Sequence, residues 1–231
     1  MLFRSYAIML GKGTAMYYSN HNHDVTYFFT YGKPIKVSGK GAVCKEDTNT
    51  GKPEGWTREY SRLHLESGIT QVKQGFLEAF SDLKELILDR SVENIEMTDE
   101  LRTMLKKNKV TIRGAYDTYA EEFAEKNNLL FIHSDIHIGI RRDEEHYQTR
   151  CVTLHFADCG RMELLYEDFC QGISAGNTMG GEFTRKMPDE FCRGCTIKEF
   201  AEMMPEVYFD QIMKNEELKA FLDSYAKRGK K

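Results

Sequence analysis

Apolar and polar positions change rhythm along the chain. Up to about residue 68, short apolar or aromatic runs are separated by turn-forming residues. "SYAIML" and "TAMYYS" flank Gly11-Lys12-Gly13, a pattern that predicts a hairpin turn. "DVTYFFTY" follows the polar "NHNH", and Gly32-Lys33-Pro34 breaks it before "IKVSG". "KEDTNTGKPEG" (45–55) reads as a polar, mobile loop, and "REYSRLHLE" as a returning strand.

From Ile69 the period lengthens. Ile69, Val72, Phe76, Phe80, Leu83 and Ile87 recur at three and four, which predicts a helix over 69–90 with Gly75 as its weak point. Thr98, followed by Asp99 and Glu100 and later by Lys106-Lys107, predicts a capped helix over 98–107. "AYDTYAEEFAEK" predicts a helix over 115–127, closed by Asn127-Asn128. Thr196 with Glu199 fits a capping box, Pro205 opens a second C-terminal helix, and Asn215 caps a last one.

Between these helices, "LLFIHSDIHIGI" (129–140) and "TRCVTLHFAD" (149–158) alternate in the two-residue period of strands. They predict a central hairpin over about 129–158. Leu130, Ile132, Ile136, Ile138 and Ile140 fall on one face; His133, Asp135, His137 and Gly139 fall on the other, with Cys151, Thr153 and His155 opposite them. The fold class is therefore α+β: antiparallel sheets, a β-rich N-terminal meander, the hairpin and a helical C-terminus. One domain over 1–231 is expected, with a candidate subdomain seam near residue 68. No internal repeat is visible.

Composition narrows the class. Hydrophobic residues at 41% and charged residues at 29% suit a folded chain and exclude a disordered one. A net charge of −4 spread over both signs gives no polybasic signature of nucleic-acid binding. The opening "MLFRSYAIMLGKG" is interrupted by Arg4 and does not read as a signal peptide, and no apolar run reaches membrane-spanning length. Six irregularly spaced cysteines read as reduced thiols, so a cytoplasmic location is expected.

The hairpin carries the candidate chemistry. His133, Asp135, His137 and His155 on one sheet face supply the imidazole and carboxylate donors that suit one divalent metal, zinc or manganese. "FIHSDIHIG" resembles the first metal-binding motif of calcineurin-like metallophosphoesterases, an apolar strand delivering Asp-x-His and then Gly. Asp135, His137 and Gly139 match it in order and spacing. The resemblance implies a two-metal phosphoesterase. The chain departs from the rest of that pattern, because Asn177 is followed by Thr178 rather than His and no histidine occurs beyond His155. The same segment is also similar to relaxases and rolling-circle initiators, which hold one ion with histidines from adjacent antiparallel strands. That likeness implies His133, His137 and His155 as ligands, and Tyr116, Tyr119 or Tyr147 as the nucleophile on a DNA phosphodiester. The usual His-apolar-His triplet is absent, since Ile138-Gly139 follows His137.

Two further features stand apart. Cys192 and Cys195 form a Cys-x-x-Cys pair, a candidate zinc half-site. Tyr17, Tyr27, Phe29 and Tyr31 make an aromatic-rich sheet, read as a candidate binding surface. With no complete catalytic set, the leading expectation is an accessory protein that docks on a macromolecular partner, inhibitor- or adaptor-like. A protein partner comes first, then nucleic acid, and no membrane. The competing expectation is a divalent-metal phosphodiesterase or nuclease on the 129–158 hairpin.

Overall fold

In a computed structural model of the chain, the described residues are all but 1–6, 9–14, 20–23, 30–33, 53–54, 144–147, 159–160, 172–177, 187–193 and 229–231. They form two compact units, 1–132 and 133–231. Residue 68 lies inside the first, where strands from both sides of it pair. The whole is mixed α+β with a helical C-terminus, as the pattern predicts.

The first unit begins as an antiparallel meander of β1 (Ala7–Ile8), β2 (Ala15–Ser19), β3 (Thr26–Phe29) and β4 (Ile35–Ser38). From β4 onward the chain coils instead. β6 (Arg62–Leu65), β8 (Glu85–Leu88) and β10 (Thr111–Gly114) add in parallel to the same sheet, and β11 (Leu130–His133) completes it. A second parallel ladder joins β5 (Gly41–Val43), β7 (Ile69–Val72) and β9 (Asn94–Ile95). The first three coils each contribute one strand to each ladder, and the fourth contributes β10 to the larger sheet alone. Ile35, Leu63, Leu86 and Ile112 stack in register through the larger sheet, and Val43, Val72 and Ile95 through the smaller. All seven are buried, each worth about 1.5–3 kcal/mol of transfer. Leu63 and Leu86 lie 23 positions apart, as do Val72 and Ile95. This repeat is one of spacing and inward direction; beyond Leu63/Leu86, Leu65/Leu88 and Val43/Val72 its inward registered positions keep apolar character rather than identity, which is why it escapes a search for similar segments.

The same coiling overturns the helix predicted over 69–90. That stretch is β7, a 3₁₀ turn at Leu77–Ala79, and β8. Ile69, Val72, Phe76, Phe80 and Leu83 are all buried because each bend of the coil turns a side chain inward. Bends every three or four residues imitate a helical stripe. Gly75, at φ +85°, takes a conformation that a helix interior does not allow. The other two helices hold. α1 (Asp99–Asn108) is capped by the Thr98 hydroxyl, which accepts from the Leu101 amide at 2.9 Å. α2 (Tyr119–Asn127) starts later than predicted, after Asp117 at φ +57°, and ends at left-handed Asn128.

The second unit is an antiparallel meander of β12 (Ile136–Asp143), β13 (Gln148–Phe156), β14 (Met162–Gln171) and β15 (Thr178–Lys186). Its helices are α3 (Ile197–Met203), α4 (Phe209–Met213) and α5 (Glu216–Arg228). The Thr196–Glu199 capping box forms as predicted: the Glu199 amide donates to Thr196 Oγ1, and the Thr196 amide to Glu199 Oε2 at 2.7 Å. Asn215 caps α5 through the Leu218 amide at 2.9 Å. Pro205 precedes a 3₁₀ turn, Glu206–Tyr208, that leads into α4. Ile136, Ile138, Leu154, Phe156, Ile212 and Phe221 are among the buried residues of this core.

The run 129–140 is not one strand. β11 ends at His133, and β12 begins at Ile136 in a different sheet. Within β12 a bulge between His137 and Gly139 places Ile138 opposite no single partner. Beyond it the alternation is reversed, so Ile140 is 48% exposed rather than inward. Along the edge of β12, Gln211 of α4 takes the place of a further strand. The Ile140 amide donates to Gln211 Oε1 at 2.7 Å, and Gln211 Nε2 donates back to the Ile140 carbonyl at 2.9 Å. Asn215 Nδ2 does the same for the His137 carbonyl at 2.7 Å. These side chains satisfy an edge that would otherwise invite another strand. Among the described residues, no helix is long and apolar enough to cross a membrane.

Candidate functional site

The predicted histidine face assembles only in part. His137 and Thr153 are cross-strand partners, and His137 Nδ1 lies 3.1 Å from the Thr153 hydroxyl. Asp135, in the bend before β12, accepts from His155 Nδ1 at 2.9 and 3.0 Å and from the Phe156 amide at 3.1 Å. The carboxylate thereby favours the tautomer of His155 with its proton on Nδ1. The two side chains are 33% and 39% exposed, so the ion pair that forms on protonating His155 is a screened one.

His133 belongs elsewhere. It is 2% exposed, its ring centroid sits 4.8 Å from Phe156 and 4.9 Å from Phe221, and Nδ1 donates to the Ser134 carbonyl at 2.7 Å. It is a core side chain. The strand break at Ser134-Asp135 is what separates it from His137, an event that alternation counted across the break does not register. Among the described residues, no group of three or more His, Cys, Asp or Glu side chains is placed to hold a metal ion.

The remaining sequence candidates fall out as follows. Tyr116 packs its ring 5.8 Å from Phe131, and the Tyr119 hydroxyl accepts from the Ile95 amide at 2.8 Å. Burial raises the Tyr119 phenol despite that hydrogen bond. Tyr147 and Cys192 lie outside the described residues, as does Tyr31; Tyr17 is in β2, with its side chain not described. Cys195 is half-buried, its thiol donating to the Thr196 carbonyl at 3.4 Å, with burial and then Glu199 pushing it up. Tyr27 and Phe29, expected on a binding surface, are buried instead. Alternation places them on the inward side of β3, where the chain's single tryptophan covers them.

That tryptophan marks a site which the sequence reading passes over as a mobile loop. Gly55, at φ +81°, turns the chain into the 3₁₀ segment Trp56–Glu59. Trp56 meets Tyr27, Phe29, Tyr60 and Phe80 at centroid distances of 5.2, 5.8, 5.9 and 6.0 Å, mostly edge to face. Its indole N–H donates to the Thr48 carbonyl at 2.9 Å, and the Tyr27 hydroxyl donates to the Asp47 carbonyl at 3.0 Å. Two polar handles of the aromatic cluster thus tether the loop at Asp47 and Thr48. Lys52 is the third tether, with Nζ 4.2 Å from the Phe29 centroid, 5.1 Å from Trp56 and 5.5 Å from Tyr60.

Outside this cluster opens a cleft of about 660 Å³, walled by the loop and by the turn at 75–81. Lys45, Lys52 and Arg58 line it, against one carboxylate, Glu78. Glu78 is already engaged, accepting from the Gly75 amide at 2.9 Å and the Thr98 hydroxyl at 2.8 Å. Lys45 lays its stem over Gly75, where an added Cβ would stand 3.1 Å from Lys45 Cβ. Neither Lys45 nor Arg58 forms an ion pair among the described residues. Among its described lining residues, cations outnumber carboxylates three to one, in a protein whose net charge is negative. A lone tryptophan beside a glycine, inside a lysine-bearing polar loop, is the signal that could have found it.

No family model matches the chain, and no curated protein or solved structure matches it at a significant level.

Proposed function

We propose that this protein is a non-catalytic docking module that receives an acidic segment of a protein partner in the cleft between the 45–58 loop and the 75–81 turn. One observation carries the reading. Lys45, Lys52 and Arg58 line an open cleft in which Glu78, the one carboxylate among the described lining residues, is spent on internal hydrogen bonds. Such a rim attracts an anionic segment and fixes its register. The parallel coils beneath supply a rigid base, because the stacked columns pack at every level.

The second reading, a divalent-metal phosphodiesterase on the hairpin, draws on the Asp135–His155 pair. It needs further donors to complete a metal shell around that pair.

A glutamate-rich peptide titrated against the full chain, followed through Trp56 emission, is expected to saturate. Lys45→Glu with Arg58→Glu should weaken it by about tenfold or more. A photo-crosslinker at Asn49, in the cleft, should capture the same peptide, whereas one at exposed Asp223 should not. Indifference to the charge reversal would refute the docking site. Phosphodiester cleavage by the purified chain with added manganese, lost in His155→Ala, would replace it with the enzymatic reading.

A further inference from the structure

We infer that Phe29, Trp56 and Tyr60 form a cage for an organic ammonium ion, occupied in this structure by the protein's own Lys52 and open by exchange to a trimethyllysine side chain of the docking partner. The inference rests on the docking reading for the partner, but the cage itself stands on geometry alone.

Three rings surround one ammonium, with centroids 4.2, 5.1 and 5.5 Å from Nζ. Cation–π attraction acts within about 6 Å and gains strength where water is excluded. Phe29 and Trp56 are buried, and the Tyr60 hydroxyl lies 3.4 Å from Lys52 Nζ. The rings also brace one another: Phe29 and Tyr60 stand 5.2 Å apart, and Trp56 touches both. A cage held this way is preorganised and keeps its shape when its occupant leaves. Burial lowers the Lys52 ammonium, partly offset by the charge of Glu59, so the native occupant sits there at some cost in hydration.

That cost identifies the better ligand. A primary ammonium is compact and strongly hydrated. A trimethylated one spreads its charge over methyl groups, loses less water on entering, and presents apolar surface to the rings. It also replaces Lys52 charge for charge. Lys52 has the advantage of tethering, equivalent to a millimolar local concentration for a short flexible link. An outside ligand must therefore come attached to something else that binds. The adjoining rim of Lys45 and Arg58 supplies that second contact, and the fitting partner segment is a trimethyllysine flanked by acidic residues.

The test uses the 231-residue chain and its one tryptophan, Trp56, as reporter. Lys52→Ala empties the cage, and choline should then quench or shift Trp56 emission saturably, with at least tenfold tighter binding than in wild type. The uncharged carbon isostere of choline should bind at least tenfold more weakly than choline. Lys52→Met leaves an apolar stem in the cage and should not gain choline binding. Adding Tyr60→Leu to Lys52→Ala should abolish it. In the wild-type chain, a peptide carrying trimethyllysine between glutamates should bind at least tenfold tighter than the same peptide with unmodified lysine. If Lys52→Ala keeps its circular dichroism and choline has no effect, or the isostere binds as well, there is no ammonium cage. Failure of docking alone reads differently: Lys45→Glu with Arg58→Glu would leave the peptide unaffected while choline still enters the Lys52→Ala cage.

Discussion

Replacing Gly139 by alanine tests how the edge of β12 is closed. A Cβ built on Gly139 would lie 2.5 Å from Gln211 Oε1, 3.3 Å from Gln211 Cδ and 3.0 Å from Tyr208 Cδ1. Gly139 has no left-handed backbone, so the substitution acts through space alone. The Gln211 carboxamide cannot simply swing aside, because it makes both hydrogen bonds that complete Ile140. Losing two such bonds costs about 1 kcal/mol each, and overpacking against Tyr208 adds about 1 kcal/mol or more. We expect Gly139→Ala to destabilise the second unit by about 2–4 kcal/mol. Trp56 lies in the first unit, so the assay reads the second unit directly: urea denaturation followed by amide hydrogen exchange over residues 136–142. Gln211→Ala should cost about 1–2 kcal/mol alone, and the double variant clearly less than the sum, since both remove the same contact. A strictly additive pair, or a Gly139→Ala chain of wild-type stability, would refute the account. It would also return Gly139 to the role its Asp-x-His-x-Gly setting suggests.

Three other outcomes follow from the structure. His64, half-buried in β6, has its imidazole held below the usual value of 6.5 by burial and then by Lys36, with Glu66, Asp89 and Glu85 opposing. The unfolded chain therefore binds the proton more readily. Stability is fully present above pH 6.5 and is lost as pH falls toward the lowered folded value. Urea midpoints read through Trp56 should drop from about pH 7.5 to about pH 5, and His64→Gln should flatten this component; an unchanged profile in that variant would assign the drop to other groups. His133→Ala should cost about 2–4 kcal/mol by opening a cavity between Phe156 and Phe221, with or without a chelator. His137→Ala, on an exposed side chain bonded to Thr153, should cost about 1 kcal/mol. Equal losses that appear only with metal present would mean the two histidines share an ion after all.

What the sequence by itself determined is local. The Thr98 cap, the Thr196–Glu199 box, the Asn215 cap and the closing Asn128 are written within a few residues, and each forms where it was read. The pairing of the run 129–140 with 149–158 was legible from alternation for residues 136–140, while Leu130–His133 joins another sheet and 141–143 extends the strand. The rest depends on partners distant in the chain. Whether Ile69, Val72, Phe76 and Phe80 make a helix or a coil is decided by the neighbouring coils, which offer strand edges to pair with and a core to bend toward. His133 and His137 look equivalent until the chain changes sheets between them. The Trp56 cluster gathers Tyr27 and Phe29 from the meander, Tyr60, and Phe80 from a later coil. A cap needs only the few residues beside it. A cleft, a cage or a metal shell needs side chains that only the folded backbone brings within a few ångströms.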